Sequence, residues 1–446
     1  MSLMTRWLGY LIICSTLWWA CSGVATVPEA PAFDAGTIDQ TPPDLSGMQL
    51  TYYGHAKAII EKKCQNCHQK GGVAPFELGS YEAVSRSKSL IKNAVETGRM
   101  PPWQADPACN EYKNDFSLSL LEKHTLLQWI GQGAKKGEPT DYKAPAPEKG
   151  GLSRVDLTLK MKDPYTPKKK PDDYRCFVID WPEKKTRYVT GFSVTPGNRQ
   201  TVHHVIVFNA EPRHAQSFVK KDQAEEGAGY ECFGGPGGQA KWLGGWVPGE
   251  RGNDYPADTG IRVEPGSKVI VQVHYNTATG DGPDQTAVHF KLEDKVKTPS
   301  SFRLLIDRRW SGSGMMIPAG KEQVRHAGYF SSKSSTQPVQ VYFSMIHMHT
   351  LGKSARMLVD RKEGPTACIQ QILRWDFNWQ IFAHLKKPIT LNKDDRIYLE
   401  CNWDNSAANQ PSINGEKKAP RDVYWGDGSY DEMCLGILYV SGEDDD

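Results

Sequence analysis

Charge imbalance is the first thing this 446-residue sequence lacks. Its 54 Lys and Arg nearly offset 52 Asp and Glu, leaving a formal net charge of +2. The basic residues are scattered, and the short run Lys168 to Lys170 precedes Pro171 as a solvated loop, so no nucleic-acid partner is expected. Long apolar runs are missing as well. The stretch from Trp7 to Ala20 follows a single Arg, is too short to span a bilayer and gives way to small residues and a Pro-rich segment. It reads as a signal peptide over residues 1–25. Ala20-Cys21-Ser22 also fits a lipoprotein cleavage site, at which a lipidated Cys21 would anchor the chain to a membrane; cleavage near Ala25 is the other reading. Both export the protein, to a periplasm-like oxidising compartment in which cysteines can pair. Beyond residue 140 there is no long helical pattern either, and 41 Gly and 29 Pro point to a turn-rich, β-rich body.

At this length two to four domains are expected. Residues 26–48 are rich in Pro and Asp without periodicity and read as a flexible tether; the acidic end, 442–446, reads as a frayed, solvated tail. Residues 49–140 carry helical periodicity and the run C-Q-N-C-H, with Cys64, Cys67 and His68. Two thiols at this spacing reach the two vinyl groups of a haem, and the following His is placed to ligate iron. The expectation is a small all-α cytochrome c domain with one covalently attached haem c. Met100, in G-R-M-P-P-W, is the candidate sixth ligand, since two prolines stiffen the loop that presents its sulfur. His124 is the weaker candidate: it lies on an amphipathic helix and reads as a surface residue. Met/His ligation suits an electron carrier.

The remainder is a series of short aromatic and β-branched runs, among them Val202 to Asn209, Lys268 to Thr277, Val339 to Ile346 and Met433 to Val440, separated by Gly, Pro, Asn and Asp. Their spacing predicts two all-β antiparallel sandwiches, at 150–295 and 296–441. The candidate histidines fall within two of these runs and directly after a third. His347 and His349 are two apart, so on a strand they share a face and can reach one metal. His203 and His204 are adjacent and point to opposite faces of a regular strand. They could share a metal with His274 only if the strand twists there or the rings use different nitrogens. Three imidazoles without a carboxylate suit copper or zinc, and the thioether of Met433, in D-E-M-C, makes a third ligand for His347 and His349 that favours Cu(I). His214, His289, His326 and His384 have no partner at ligand spacing and read as packing or surface residues. Trp103, Trp375, Trp379 and Trp403 read as core, with Phe377 on a strand face.

T-V-H-H, Q-V-H-Y, H-x-H-x-L-G and D-E-M-C, in this order, resemble the copper type II ascorbate-dependent monooxygenases, over about residues 150 to 441. The resemblance implies two jelly-roll-like sandwiches, each bearing a copper, with an open cleft between. It assigns His203, His204 and His274 to an electron-transfer copper. His347, His349 and Met433 would hold the copper at which O2 and substrate react. It further implies disulfides Cys176–Cys232 and Cys401–Cys434. Cys109 and Cys368 remain, either as free thiols or as a link between the helical and copper parts. Family members acting on peptides grip a carboxylate with an Arg before the H-x-H pair and with Asn and Tyr after the Met motif. Here those positions are Met345, Leu435 and Ile437, so an apolar or neutral small molecule is the expected substrate, sought beside these residues. The expected activity is a C–H hydroxylation with O2, the haem passing on electrons from an external donor. An electron-transfer or copper-handling protein without organic substrate is the alternative.

Overall fold

The computed structural model describes residues 27–34, 41–70, 72, 74–145, 151–277, 280–310, 314–331, 338–413, 416–426, 428 and 430–442. The expected signal peptide with Cys21, and all but Gly442 of the acidic tail, lie outside them.

Helices come first: α1 (Lys57–Lys63), α2 (Tyr81–Glu96) and α3 (Leu120–Gly131). Ser80 caps α2 by accepting from the Ala83 N–H, and Ser119 with Glu122 closes a reciprocal capping box on α3. Their apolar faces meet in a small core containing Ile60, Val84, Val95, Leu126 and Trp129. Between α2 and α3 the chain leaves this core. Ala105 and Tyr112 bridge to Ile372 and Leu385 of the second sandwich and join its core, with Trp103 packed against it. Cys109 is bonded to Cys368 there, so of the two fates open to these cysteines the linked one is observed. The expected tether is also packed in part. Val27, Ala30 and Phe33 lie against Ala327, Leu358 and Tyr398, while Leu45 and Leu50 are buried in the helical core. These contacts are isolated apolar residues among prolines, which give no periodic signal.

The first sandwich comprises β1 (Leu157–Lys160), β2 (Asp172–Asp180), β3 (Arg187–Thr195), β4 (Val202–Ala210), β5 (Tyr230–Glu231), β6 (Lys241–Trp246), β7 (Asn253–Asp254), β8 (Thr259–Val263), β9 (Lys268–Asn276) and β10 (Ala287–Glu293). The second comprises β11 (Thr298–Leu305), β12 (Val324–Ser331), β13 (Val339–His347), β14 (Gly352–Asp360), β15 (Ala367–Ile372), β16 (Ala383–Leu391), β17 (Arg396–Trp403), β18 (Ser412–Ile413), β19 (Glu416–Lys417) and β20 (Leu435–Ser441). One sheet in the order β5-β2-β9-β4-β6 faces β1-β10-β3-β8, and β12-β17-β14-β15 faces β11-β20-β13-β16. The near-continuous apolar run of β9 makes it a central strand, covered on its outer side by the unexpected helix α4 (Pro212–Gln223), whose Phe218 packs with Phe208 and Ile270.

The two sandwiches are not separate bodies. β8 and β11 pair in parallel through Thr259 and Thr298, which makes one sheet continuous across both. Over this joint Phe302, Phe343, Phe382 and Tyr439 pack into the same apolar cluster as Leu243, Trp246 and Tyr255 of the first sandwich. Phe343 and Tyr439 stack at 4.4 Å, and Tyr439 OH hydrogen-bonds to Thr259 and Ser300 at the joint. Side chains fill this seam. Cys176–Cys232 and Cys401–Cys434 are bonded as the resemblance implied.

Candidate copper centres

β4 and β9 are neighbours in the five-stranded sheet, and His204 faces His274 directly in their ladder. The ladder steps from Val202 to His204, leaving His203 as the extra residue of a bulge. That irregularity turns two adjacent side chains to one side, which a regular strand forbids. Nδ1 of His204 lies 3.3 Å from Nδ1 of both His203 and His274. One ligand atom from each of the three rings fits within 4.8 Å of the others. Different nitrogens are not needed: all three rings turn Nδ1 inward.

The surroundings set the tautomer. His274 Nε2–H donates to Asp172 Oδ1 at 2.9 Å, and Tyr174 stacks on the ring at 4.1 Å. This leaves the Nδ1 lone pair for a metal. Burial holds the proton affinities of His204 and His274 well below the usual imidazole range, with the neighbouring imidazoles adding to the effect. His203 is lowered by burial too, partly offset by Asp172. Three neutral imidazoles at physiological pH are a donor set that fits copper.

In the second sandwich β13 delivers His347 at its end, and His349 follows two residues later. Their Nε2 atoms are 3.1 Å apart. His347 Nδ1–H donates to the Gln380 amide oxygen and His349 Nδ1–H to the Asp431 carbonyl at 3.1 Å. Both Nε2 lone pairs are therefore left to converge. Burial lowers both, His349 to about 3 with the help of His347. Met433, half-buried, lies two residues before Leu435, which pairs with His347 in the β13–β20 ladder. The Cys401–Cys434 bond fixes the chain immediately after it.

Three supporting groups were not singled out by the sequence: Asp172, Gln380 and Glu432. The buried Glu432 carboxylate accepts from the His349 and Leu351 N–H groups and from Trp403 Nε1, at 2.6 to 2.8 Å. It braces the turn that carries His349. Burial raises it to about 7 against the pull of these donors. Its adjacency to Met433 in D-E-M-C was the available signal; Asp172 and Gln380 had none, being distant from the histidines in sequence. Phe377, expected on a strand face, sits in a turn and meets the His349 ring edge-on at 6.0 Å.

Beyond burial and the neighbouring imidazoles, His347 adds slightly to lowering His204, and Asp172 adds to the burial that raises Tyr430 beside the Met433 motif. Met345 and Ile437, expected to border the substrate, are cross-strand partners 9% and 1% exposed. They share the His347 face of the sheet and continue into the apolar seam, with Leu435 packed against the same cluster. They are packing groups, and the site is not an apolar wall open to solvent there.

Cys64 caps the end of α1 and Cys67 lies in the turn that follows; they are the two cysteines outside disulfides among the described residues. His68 Nδ1–H donates to the Phe76 carbonyl at 2.9 Å, which leaves Nε2 free. Met100 follows α2 in a loop held by Arg374, whose guanidinium donates to the Thr97 and Gly98 carbonyls. His124 is half-buried on α3. Among the remaining histidines, His384 stacks on Phe343, His289 bonds to Thr158 and Thr195, and His326 bonds to the Met316 carbonyl. His214 is half-buried on α4. Trp375 and Trp403 are core residues, and Trp379 borders a crevice with Trp103. No helix among the described residues is long and apolar enough to cross a membrane. Three disulfides indicate an oxidising compartment.

Residues 157–281 match the N-terminal domain of copper type II ascorbate-dependent monooxygenases and residues 308–441 match the C-terminal domain, together more than half the chain. The chain is 21% identical over 324 residues to a tyramine beta-hydroxylase of Caenorhabditis briggsae, covering 68% of this chain and 51% of that protein. It is 22% identical over 274 residues to DBH-like monooxygenase protein 1 of Homo sapiens, covering 54% of this chain and 39% of that protein. The chain therefore spans about half, or less, of the length of these curated relatives. Among solved structures, a peptide-N(4)-(N-acetyl-beta-D-glucosaminyl) asparagine amidase matches with a TM-score of 0.29 and 7% identity, over 64% of this chain and 96% of that one, which carries no argument about fold or function. On the two matched domains, this chain belongs to the copper type II ascorbate-dependent monooxygenase family.

Proposed function

We propose that the protein is an exported, copper- and haem-dependent monooxygenase that hydroxylates a C–H bond of an apolar or neutral small molecule. The observation that carries the reading is the convergence of two sets of imidazole nitrogens, one on each sandwich. His203, His204 and His274 hold one copper through Nδ1; His347 and His349 through Nε2, with Met433, hold the second. When bound, the copper pair supplies two electrons and the place at which O2 is activated. Asp172 and Gln380 keep the inner rings in the metal-binding tautomer, and Glu432 fixes the His349 turn.

The helical unit supports a haem c. In a chain whose other described cysteines are paired, Cys64 and Cys67 stand outside the disulfides, three residues apart, beside a His whose Nδ1 is engaged and whose Nε2 is available. Met100 is the sixth ligand in this reading. The haem takes electrons singly from an external donor, so ascorbate is not required.

The test uses the full chain loaded with copper and supplied with 18O2, an electron donor and a library of neutral metabolites. The expected result is two coppers per chain and one labelled atom in a product. Two coppers with oxygen uptake but no labelled product from any candidate would instead support an electron-transfer or copper-handling protein.

A further inference from the structure

The C-x-x-C-H turn does not hang free. Asn66, between the two cysteines, donates to the Gly249 carbonyl in the loop after β6, and accepts from Arg251 Nε at 3.2 Å. A Cβ on Gly249 would lie 2.9 Å from Cys67 Sγ, and the residue has φ +97, so both space and backbone call for glycine there. Trp246 Nε1 donates to the Glu250 carbonyl at 2.8 Å and closes the loop. Asn66, Gly72, Gly249, Pro248, Trp246 and Arg199 border a narrow surface crevice beside this turn.

Two walls of this crevice lead directly to the first histidine cluster. Trp246 is the cross-strand partner of Val205, which follows His204. Arg199, exposed, lies on the turn into β4, four residues before His203. Both hydrogen bonds from the C-x-x-C-H turn to the sandwiches, at Gly249 and Arg251, go to the first one.

We infer that this crevice seats the thioether edge of the haem and is the port through which its electrons reach the copper of His203, His204 and His274, with Arg199 bringing a positive charge to that edge. The inference rests on the haem reading above and adds the seat, the path and the cation. In the transfer one electron leaves ferrous haem, which becomes ferric, and one Cu(II) becomes Cu(I). No bond is made or broken, and an external one-electron reductant resets the haem. Gly249 is what lets the thioether sulfur touch the backbone that runs to Trp246. Arg199 places a positive charge beside the haem, which favours its reduced form.

The experiment compares the full, copper-loaded chain with Arg199→Glu and Gly249→Val, after measuring haem per chain in each. Arg199→Glu should shift the haem midpoint potential to more negative values. Gly249→Val should slow oxidation of pre-reduced haem by the first copper several-fold, with the cupric electron paramagnetic resonance signal retained. Should Gly249→Val fail to fold, Arg199→Glu, at an exposed position, still decides. A haem-containing Arg199→Glu protein with the wild-type potential, or a folded Gly249→Val protein with the wild-type rate, overturns the seat. A wild-type chain without haem overturns the haem reading itself.

Discussion

Asp172 offers a graded test of the first copper centre. Its Oδ1 receives the His274 Nε2–H at 2.9 Å, with the carboxylate side chain 27% exposed and the imidazole 2% exposed. A hydrogen bond to a charged acceptor contributes about 1.5–3 kcal/mol and one to a neutral acceptor about 0.5–1.5 kcal/mol. Asp172→Asn keeps an acceptor oxygen and loses the charge, a difference of about 1 kcal/mol, or roughly fivefold in copper affinity. Asp172→Ala removes the acceptor and frees the ring to turn; about 2 kcal/mol, or roughly 30-fold, is expected, within the 10–100-fold typical of such partners. Competition against a calibrated chelator, followed by electron paramagnetic resonance, resolves the two coppers. The first should weaken in the order wild type, Asn, Ala, while the second, held by residues of the other sandwich, keeps its affinity. Equal loss at both centres, or wild-type affinity at the first centre in both variants, would refute the assignment of His274 and its tautomer.

Three further outcomes follow from the geometry. Replacing both Cys109 and Cys368 by Ala opens a closure spanning 259 residues, for which chain entropy sets a ceiling of about 5 kcal/mol. The packed neighbours Ala105 and Tyr112 reduce this, and a fall in melting temperature of several degrees is expected by calorimetry; no fall means the bond is not a staple. Burial pushes the Glu250 carboxyl up to about 8, while an unfolded Glu titrates near its ordinary value, so the folded state loses stability as pH rises from about 4.5 and the loss levels off above 8. Glu250→Gln should therefore gain on wild type across that window in thermal melts, and a gap that does not change with pH contradicts the buried carboxyl. Met433→Ala should remove the sulfur contribution from the copper X-ray absorption of the reduced protein and cut Cu(I) affinity; a persistent sulfur signal would move the ligand elsewhere.

The strands and the histidine pairs were legible because alternating apolar residues and the H-x-H spacing are local properties. His203 and His204 posed a contradiction in sequence, two ligands on opposite faces. Its solution, a bulge, depends on how β9 pairs with β4 and leaves no local mark. Met345 and Ile437 read correctly as apolar and incorrectly as a substrate wall, since the aromatic seam that buries them is assembled from Trp246, Tyr255, Phe302 and Tyr439, far apart in the chain. The parallel pairing of β8 with β11 joins only two residue pairs and has no compositional signature. Residues 103–116 carry no helical period because their apolar side chains serve the core around Ile372 and Leu385, more than 200 residues away.

That last stretch bears on how the gene can be cut. The compositional break near residue 150 invites a truncation that starts there, with the helical part treated as a removable accessory. Such a chain would leave without cover the groove now filled by Ala105 and Tyr112, lose the disulfide partner of Cys368 and free the Arg374 side chain. The helical part alone would in turn expose the same apolar loop. The unit of expression, of recombination and of engineering is the whole body, and any exchange of the helical part for another domain has to carry residues 101–117 with the sandwich.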